Sequence, residues 1–288
     1  MSLGKQGDSG VVRSPLVACR SALLRGLLLS APGSVVDAKG YVADAGLNLI
    51  EGVRLHDFEV DLKQGDGDEL AGKFRAAHSS SALAVNAFGP FKAHLPALRL
   101  LGLQDFDTLN FERKCPHGIA GRRPPNLDVV AAGLEGVVAI ESKCLEFLAP
   151  HKAKFAPAYE EKIQDGRRST GWYREMLSLI ESPASYRWLD AAQLIKHAFG
   201  IAHTFPTKRA NLLYVFWEPA NASEHPIFRE HRDEIARFAA RVRGEEPDGP
   251  LFRWMPYTEL WKAWEGHEEP EWLQEHARRL RVRYEVRI

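Results

Sequence analysis

Four stretches of β-branched and aromatic residues predict the strands of a sheet. Apolar residues alternate with polar ones, or follow one another without interruption, at 106–112, 127–132, 137–143 and 211–217. A turn bounded by glycines separates the second stretch from the third, which is typical of a β-hairpin. The fourth stretch, NLLYVFW, is almost entirely apolar, which predicts a strand buried on both faces.

Helical patterns lie before, between and after these strands. Apolar spacing predicts helices at about 12–31, from Glu69 to about Ala77, and at 81–88, 186–202 and 227–243. Short alternating stretches predict a strand at 58–62, another at 252–255 and an edge strand at 281–286. These elements predict one α/β domain over residues 51–288, preceded by a leader and a helical extension in residues 1–50.

Composition narrows the class of protein but names no activity. The 288 residues contain 38 Lys plus Arg and 38 Asp plus Glu, so a surface for anions must be a local patch. The three cysteines form no metal-binding pair, and we expect buried thiols in a reducing cytoplasm. The apolar stretch at 21–31 is shorter than the ~20 residues that cross a bilayer, so no membrane partner is expected.

Ionisable residues stand at the ends of the two strands of the predicted hairpin. Asp128 lies on the first strand, and Glu141 and Lys143 lie two apart on the second, so the last two point to one face. Paired carboxylates suit Mg²⁺ or Mn²⁺, and a lysine can orient a water molecule and offset charge on a phosphate. The group therefore predicts phosphodiester hydrolysis, against the simpler interpretation of a solvated hairpin end with a surface ion pair.

The motif Asn126-Leu127-Asp128, twelve residues, then Glu141-Ser142-Lys143 resembles that of the PD-(D/E)xK nuclease superfamily. Leu127 stands where the family usually has proline. The family core of a helix, three antiparallel strands, a helix and a strand is similar to the order predicted here for about 67–217. The resemblance implies a restriction-endonuclease-like mixed sheet flanked by helices, with the N-terminal helical extension outside it.

The resemblance also implies roles for individual residues. Asp128 and Glu141 would ligate a divalent metal, and Lys143 would assist the attacking water. Family members often carry an acidic residue on the first core helix, for which Glu69 is the match as a third metal ligand. Others use a polar residue on the helix after the motif, for which Gln193 is the candidate catalytic residue.

Basic residues recur near the predicted hairpin despite the neutral total charge. Phosphate contacts need cations that folding brings together, although each one alone could be a solvated surface charge. We expect nucleic-acid contacts from Arg122 and Arg123, before the first motif strand, and from Lys196, on the later helix.

The sequence thus predicts a cytoplasmic, Mg²⁺-dependent (or Mn²⁺-dependent) endonuclease acting on DNA. Cutting of both strands would call for a homodimer with two-fold symmetry. Two alternatives stay open. The chain could be a nucleic-acid-binding or scaffolding protein that keeps the fold without catalysis, or a nuclease that acts on RNA.

Overall fold

Residues rich in valine, isoleucine and alanine build the centre of a mixed sheet. The computed structural model describes residues 14–63, 70–119, 121–162, 168, 170–243 and 249–288. Within these ranges five strands lie side by side in chain order: β1 (Phe106–Lys114), β2 (Asn126–Gly133), β3 (Val137–Lys143), β4 (Ala210–Phe216) and β5 (Leu251–Pro256). The pairs β1–β2 and β2–β3 are antiparallel, whereas β3–β4 and β4–β5 are parallel.

Helices cover both faces of this sheet. They are α1 (Pro15–Ser30), α2 (Glu59–Lys63), α3 (Ser80–Phe88), α4 (Pro157–Lys162), α5 (Gly171–Glu181), α6 (Ala191–Thr204), α7 (Pro226–Val242), α8 (Tyr257–Trp264) and α9 (Glu271–Tyr284). Helix α3 packs against β2 and β3, α6 against β4, and α7 against β5. The predicted α/β class and the mixed sheet flanked by helices, with a helical N-terminal segment, are confirmed.

Side-chain caps fix where the two helices nearest the motif begin. Ser79 accepts a hydrogen bond from Ala82 N at the start of α3, and Asp190 accepts one from Gln193 N at the start of α6. Such caps satisfy backbone N–H groups that have no partner inside the helix. Strand β4 is buried along its whole length, as its apolar sequence predicts.

The strand predicted at 58–62 is wrong, because these residues form α2 and the turn before it. A strand would place Phe58, Val60 and Leu62 on one face. Phe58 and Leu62 are buried but Val60 is 63% exposed, which is the pattern of positions i and i+4 on a helix.

The edge strand predicted at 281–286 is also wrong, since α9 continues to Tyr284. Arg283 and Tyr284 are adjacent and both buried, which the alternation of a strand would not allow. Together with Leu280 they form one helical face, in which an arginine occupies a position where an apolar residue is usual.

The helix predicted from Glu69 onward is not formed in its described part. Residues 70–79 contain one short 3₁₀ turn, Lys73–Arg75, and then an extended segment in which Ala76 bridges to Tyr41. The helix in front of the antiparallel strands is therefore α3. Glu69 itself lies outside the described residues.

The buried Arg283 side chain connects segments that are far apart in sequence. Its guanidinium donates to Leu23 O at 2.9 Å, to Asn48 Oδ1 at 2.9 Å and to Ala77 O at 3.3 Å. Helix α1 also packs against α9. The three cysteines are buried free thiols, as predicted, and no helix of the described chain is long and apolar enough to cross a membrane.

Candidate active site

The hairpin register places Asp128 beside Glu141. Val129 pairs with Ile140, so the next antiparallel pair along the ladder consists of Asp128 and Glu141, whose side chains share one face. Asp128 Oδ2 also accepts a hydrogen bond of 2.6 Å from Ser142 N. The two carboxylates that the sequence singles out are thus neighbours at the end of the hairpin.

Both carboxylate oxygens of Glu141 have a nitrogen partner. Lys143 Nζ lies 2.5 Å from Glu141 Oε1, and His197 Nδ1 lies 3.2 Å from Glu141 Oε2. Lys143 Nζ also donates to Gln193 Oε1 at 2.8 Å. Glu141 is only 2% exposed, so this carboxylate is held in a defined orientation by charged and polar groups.

Helix α6 supplies both outer partners of the motif. Gln193 and His197 are four residues apart and therefore lie on one face of the helix, the face turned toward Glu141 and Lys143. The sequence predicts Gln193 as a site residue but does not predict His197. The i, i+4 spacing from Gln193 is the signal that could have identified it.

The segment that leads into α6 is fixed by one buried carboxylate. Glu234, on α7, accepts hydrogen bonds from Arg187 N and Trp188 N at 2.8 Å and from Leu189 N at 3.0 Å. Because charge-assisted hydrogen bonds to a carboxylate are stronger than neutral ones, this clamp holds the start of α6 in place.

Glu141 and Lys143 stabilise each other's charged forms, whereas the charged form of Asp128 is destabilised by its surroundings. Burial raises the pKa of Glu141, but Lys143 and His197 outweigh it and hold this pKa at about 2. Burial lowers the pKa of Lys143, but Glu141 and Asp128 raise it well above its usual range, so Lys143 is an ammonium at neutral pH. For Asp128, burial first and then the charges of Glu141 and Glu112 raise the pKa well above its ordinary value.

A third carboxylate, Glu112, lies on β1. The pairs Phe111–Val129 and Arg113–Leu127 flank Glu112 and Asp128, so these two side chains stand across from each other. Glu112 has a φ of 49°, which re-aims its side chain within the strand, and it accepts a hydrogen bond from Asn126 Nδ2. Carboxylates on three adjacent strands become visible only once the register is known.

The residues at the motif suit a hard divalent cation. Burial, and after it the charges of Glu141 and Glu112, raise the pKa of Asp128 more than Lys143 lowers it. In the described part of the chain no group of three or more His, Cys, Asp and Glu is placed to hold a metal ion by itself. Asp128 and Glu141 would therefore contribute two ligands, and Mg²⁺ characteristically takes its others from water and phosphate oxygens.

A cleft of about 340 Å³ opens beside these residues. Its lining residues are Arg123, Pro125, Asn126, Tyr159, Asp190, Gln193, Lys196 and His197. The structure thus brings two of the three proposed nucleic-acid contacts, Arg123 and Lys196, to the motif, while Arg122 is exposed next to Arg123 in the chain. Glu69 cannot be placed among them.

Most of the chain matches the model of one protein family. Residues 33–285 match the family model described as restriction endonuclease associating with ARP. The matched range contains all five strands and the Asp128, Glu141 and Lys143 positions. No curated protein and no solved structure matches the chain.

Proposed function

The chain belongs to this family of restriction endonucleases, and we propose that it is a Mg²⁺-dependent endonuclease that hydrolyses phosphodiester bonds in DNA. The observation that carries the proposal is the placement of Asp128 and Glu141 on neighbouring strands, with the Lys143 ammonium 2.5 Å from Glu141. Ionisable groups are costly to bury at the end of an apolar strand unless a partner compensates them. Here a divalent cation would compensate Asp128.

Each residue of the motif has a part in the proposed reaction. A bound Mg²⁺ supplies a Lewis acid for the phosphate and lowers the pKa of an attacking water. Asp128 and Glu141 are the residues that would hold that ion. Lys143, an ammonium at neutral pH in the metal-free protein, would donate hydrogen bonds and offset negative charge on the phosphate.

Gln193 and His197 act through the motif residues. Gln193 accepts a hydrogen bond from Lys143 Nζ, which limits the directions in which the ammonium can point. His197 Nδ1 lies 3.2 Å from the second oxygen of Glu141. Preorganised groups of this kind avoid reorganisation at the moment of reaction, so we regard both as positioning residues.

A plasmid-nicking assay in Mg²⁺, in Mn²⁺ and in EDTA tests the proposal. Wild-type protein is expected to cut in either metal and not in EDTA. Lys143→Met keeps the side-chain volume but removes the ammonium, and we expect cleavage to fall by about 10²–10³-fold, the usual effect of losing one group that stabilises developing charge. Lys262→Met, at an exposed position on α8, is the matched control and should cut normally.

The alternatives give different results in the same experiment. Wild-type protein that binds DNA in Ca²⁺ but cuts no nucleic acid in Mg²⁺ or Mn²⁺ would be a binding or scaffolding protein. Cleavage of RNA but not of DNA would make it a ribonuclease. Unchanged cleavage by Lys143→Met would remove this lysine from the mechanism.

A further inference from the structure

The cleft beside the motif has properties that the proposed reaction does not use. It shares Gln193 and His197 with the site, and these residues contact Lys143 and Glu141 directly. A group bound in the cleft would therefore be separated from the two motif carboxylates by one layer of side chains. The cleft therefore lies directly beside the proposed site of cleavage.

The lining of the cleft carries two basic side chains, Arg123 and Lys196, and one acidic side chain, Asp190. Within the described residues, neither Lys196 nor Arg123 lies within ion-pair distance of a carboxylate. Lys196 Nζ sits 5.3 Å from the centre of the Phe155 ring, and burial lowers the pKa of this half-buried lysine although Asp190 opposes the effect. Asp190, the acidic lining residue, is engaged as the cap of α6. A phosphate would supply the missing counter-charge.

The wall of the cleft includes a small part of the Tyr159 ring, which is 6% exposed. Tyr159 stands edge-on to His117 and Phe155, with ring centres 5.2 and 6.1 Å apart, so its orientation is fixed by packing. Pro125 adds a second apolar surface. Aromatic side chains accept the faces of nucleic-acid bases without regard to sequence.

Two buried polar atoms of the lining have no hydrogen-bond partner within the described structure, Asn126 Oδ1 and His197 Nδ1. Asn126 Nδ2 donates to Glu112, but the buried Asn126 Oδ1 has no partner within the described structure. A buried acceptor left in this state costs free energy, and a ligand with an N–H group would satisfy it. The exocyclic amino group of a base is such a donor.

The size of the cleft limits what can enter it. About 340 Å³ lies at the lower end of the roughly 300–1,000 Å³ range of small-molecule pockets. One nucleotide is of that size. A base that is stacked and paired within a duplex cannot reach such a cleft without leaving the helix.

We propose that this cleft binds one unpaired nucleotide of a DNA strand, its phosphate contacted by Lys196 and Arg123 and its base packed against Tyr159. The inference rests on the proposed nuclease function and narrows its substrate to DNA with an unpaired nucleotide beside the cut, as at a gap, a bubble or a strand end. A continuous duplex would have to be opened first, which costs a few kcal/mol of unstacking.

Binding to two matched synthetic DNAs tests the inference. One is a continuous duplex, and the other is the same duplex with a short single-stranded gap. Fluorescence anisotropy is measured with the wild-type chain in Ca²⁺, which replaces Mg²⁺ to suppress cleavage. We expect the gapped DNA to bind about tenfold more tightly, which corresponds to ~1.4 kcal/mol.

Variants show whether the cleft causes this preference. Lys196→Gln should remove most of this preference, because it weakens binding of the gapped DNA more than binding of the continuous duplex. Tyr159→Leu should do the same, and Lys196→Gln carries the test if Tyr159→Leu fails to fold. Lys262→Gln is the control and should retain the preference.

Three results would overturn the inference. They are equal affinity for the two DNAs, an equal loss of affinity for both DNAs in Lys196→Gln, and tighter binding when the gap is made of RNA. The plasmid assay reports separately on the nuclease proposal. Cleavage without a preference for gaps defeats only the inference, whereas a preference for gaps without metal-dependent cleavage defeats only the nuclease proposal.

Discussion

Replacing Lys143 by methionine would show how much the buried ion pair with Glu141 contributes to the free energy of unfolding. Methionine keeps most of the aliphatic stem but leaves the Glu141 carboxylate, 2% exposed, without the ammonium 2.5 Å away. His197 would be the remaining partner at the second oxygen. Removing one member of a buried ion pair is usually costly because the other charge stays desolvated.

The structure gives the size of this effect. The pKa of Glu141 falls from its ordinary 4.5 to about 2, which corresponds to about 3 kcal/mol because one pKa unit is ~1.4 kcal/mol. Lys143 is the largest of the groups that lower it, so Lys143→Met should destabilise the protein by about 2–3 kcal/mol at neutral pH. The double variant Lys143→Met/Glu141→Gln removes both charges and should recover most of this loss.

Urea denaturation of the wild type, both single variants and the double variant forms the assay. All four are measured in EDTA, and cleavage is measured in Mg²⁺. We expect a coupling energy of about 2 kcal/mol between the two positions, and no cleavage from the double variant although its stability is restored. Additive effects of the two substitutions would refute the charge-pair reasoning.

The same pair has a defined pH dependence. The folded-state pKa of Glu141 is depressed, so its contribution to stability is fully present above about pH 4.5 and is lost as the pH falls through about 2. The difference in stability between wild type and Lys143→Met should therefore be constant near neutral pH and shrink in strong acid. A difference that grows on acidification would contradict this assignment.

Two further outcomes follow from the carboxylates around the motif. Because the pKa of Asp128 is raised in the folded state, the metal-free protein loses stability as the pH rises from 3.8 through the folded-state pKa. In EDTA, Asp128→Asn should therefore have a higher melting temperature than wild type at neutral pH, but not below pH 3.8. A lower melting temperature for Asp128→Asn at neutral pH would contradict it. Glu234→Gln weakens the hydrogen bonds to three backbone N–H groups and should lower the free energy of unfolding by about 2 kcal/mol. Amide exchange at Arg187, Trp188 and Leu189 should become faster. Unchanged exchange at these amides would show that Glu234 is not needed to hold this segment.

The central strands could be predicted because their side chains have one dominant environment. In β3, Val137 to Ile140 are all buried, and a run of β-branched residues has few alternatives to a central strand. The five residues at 58–62 were too few to distinguish the two-residue repeat of a strand from the repeat of about four residues of a helix. The end of α9 could not be predicted because Arg283 is buried through contacts with segments more than 200 residues away.

The residues of the site also fall into two groups, those that the sequence predicts and those that depend on the folded structure. Asp128, Glu141 and Lys143 can be proposed from spacing along two strands joined by a tight turn, and their roles stay a proposal. Glu112 depends on the register between β1 and β2 and on its positive φ, neither of which a pattern of apolar residues reveals. His197 depends on the rotation of α6 about its axis, which Asp190 and Glu234 determine.

The bonds of Arg283 also bear on the order in which the chain can assemble. They join residues separated by 260, 235 and 206 positions, so none of them can form on the ribosome until synthesis has passed residue 283. The five described strands of the sheet, by contrast, have all been synthesised once residue 256 has been added. Contacts of such long sequence separation close slowly, because the entropy of a large loop is lost before the contact is gained. The segments around Asn48 and Ala77 can bond to each other earlier, through Asn48 Nδ2 and the carbonyl oxygens of Phe74 and Ala76. The hydrogen bond from Arg283 to Leu23 on α1 forms only after the strands that carry the motif have been synthesised.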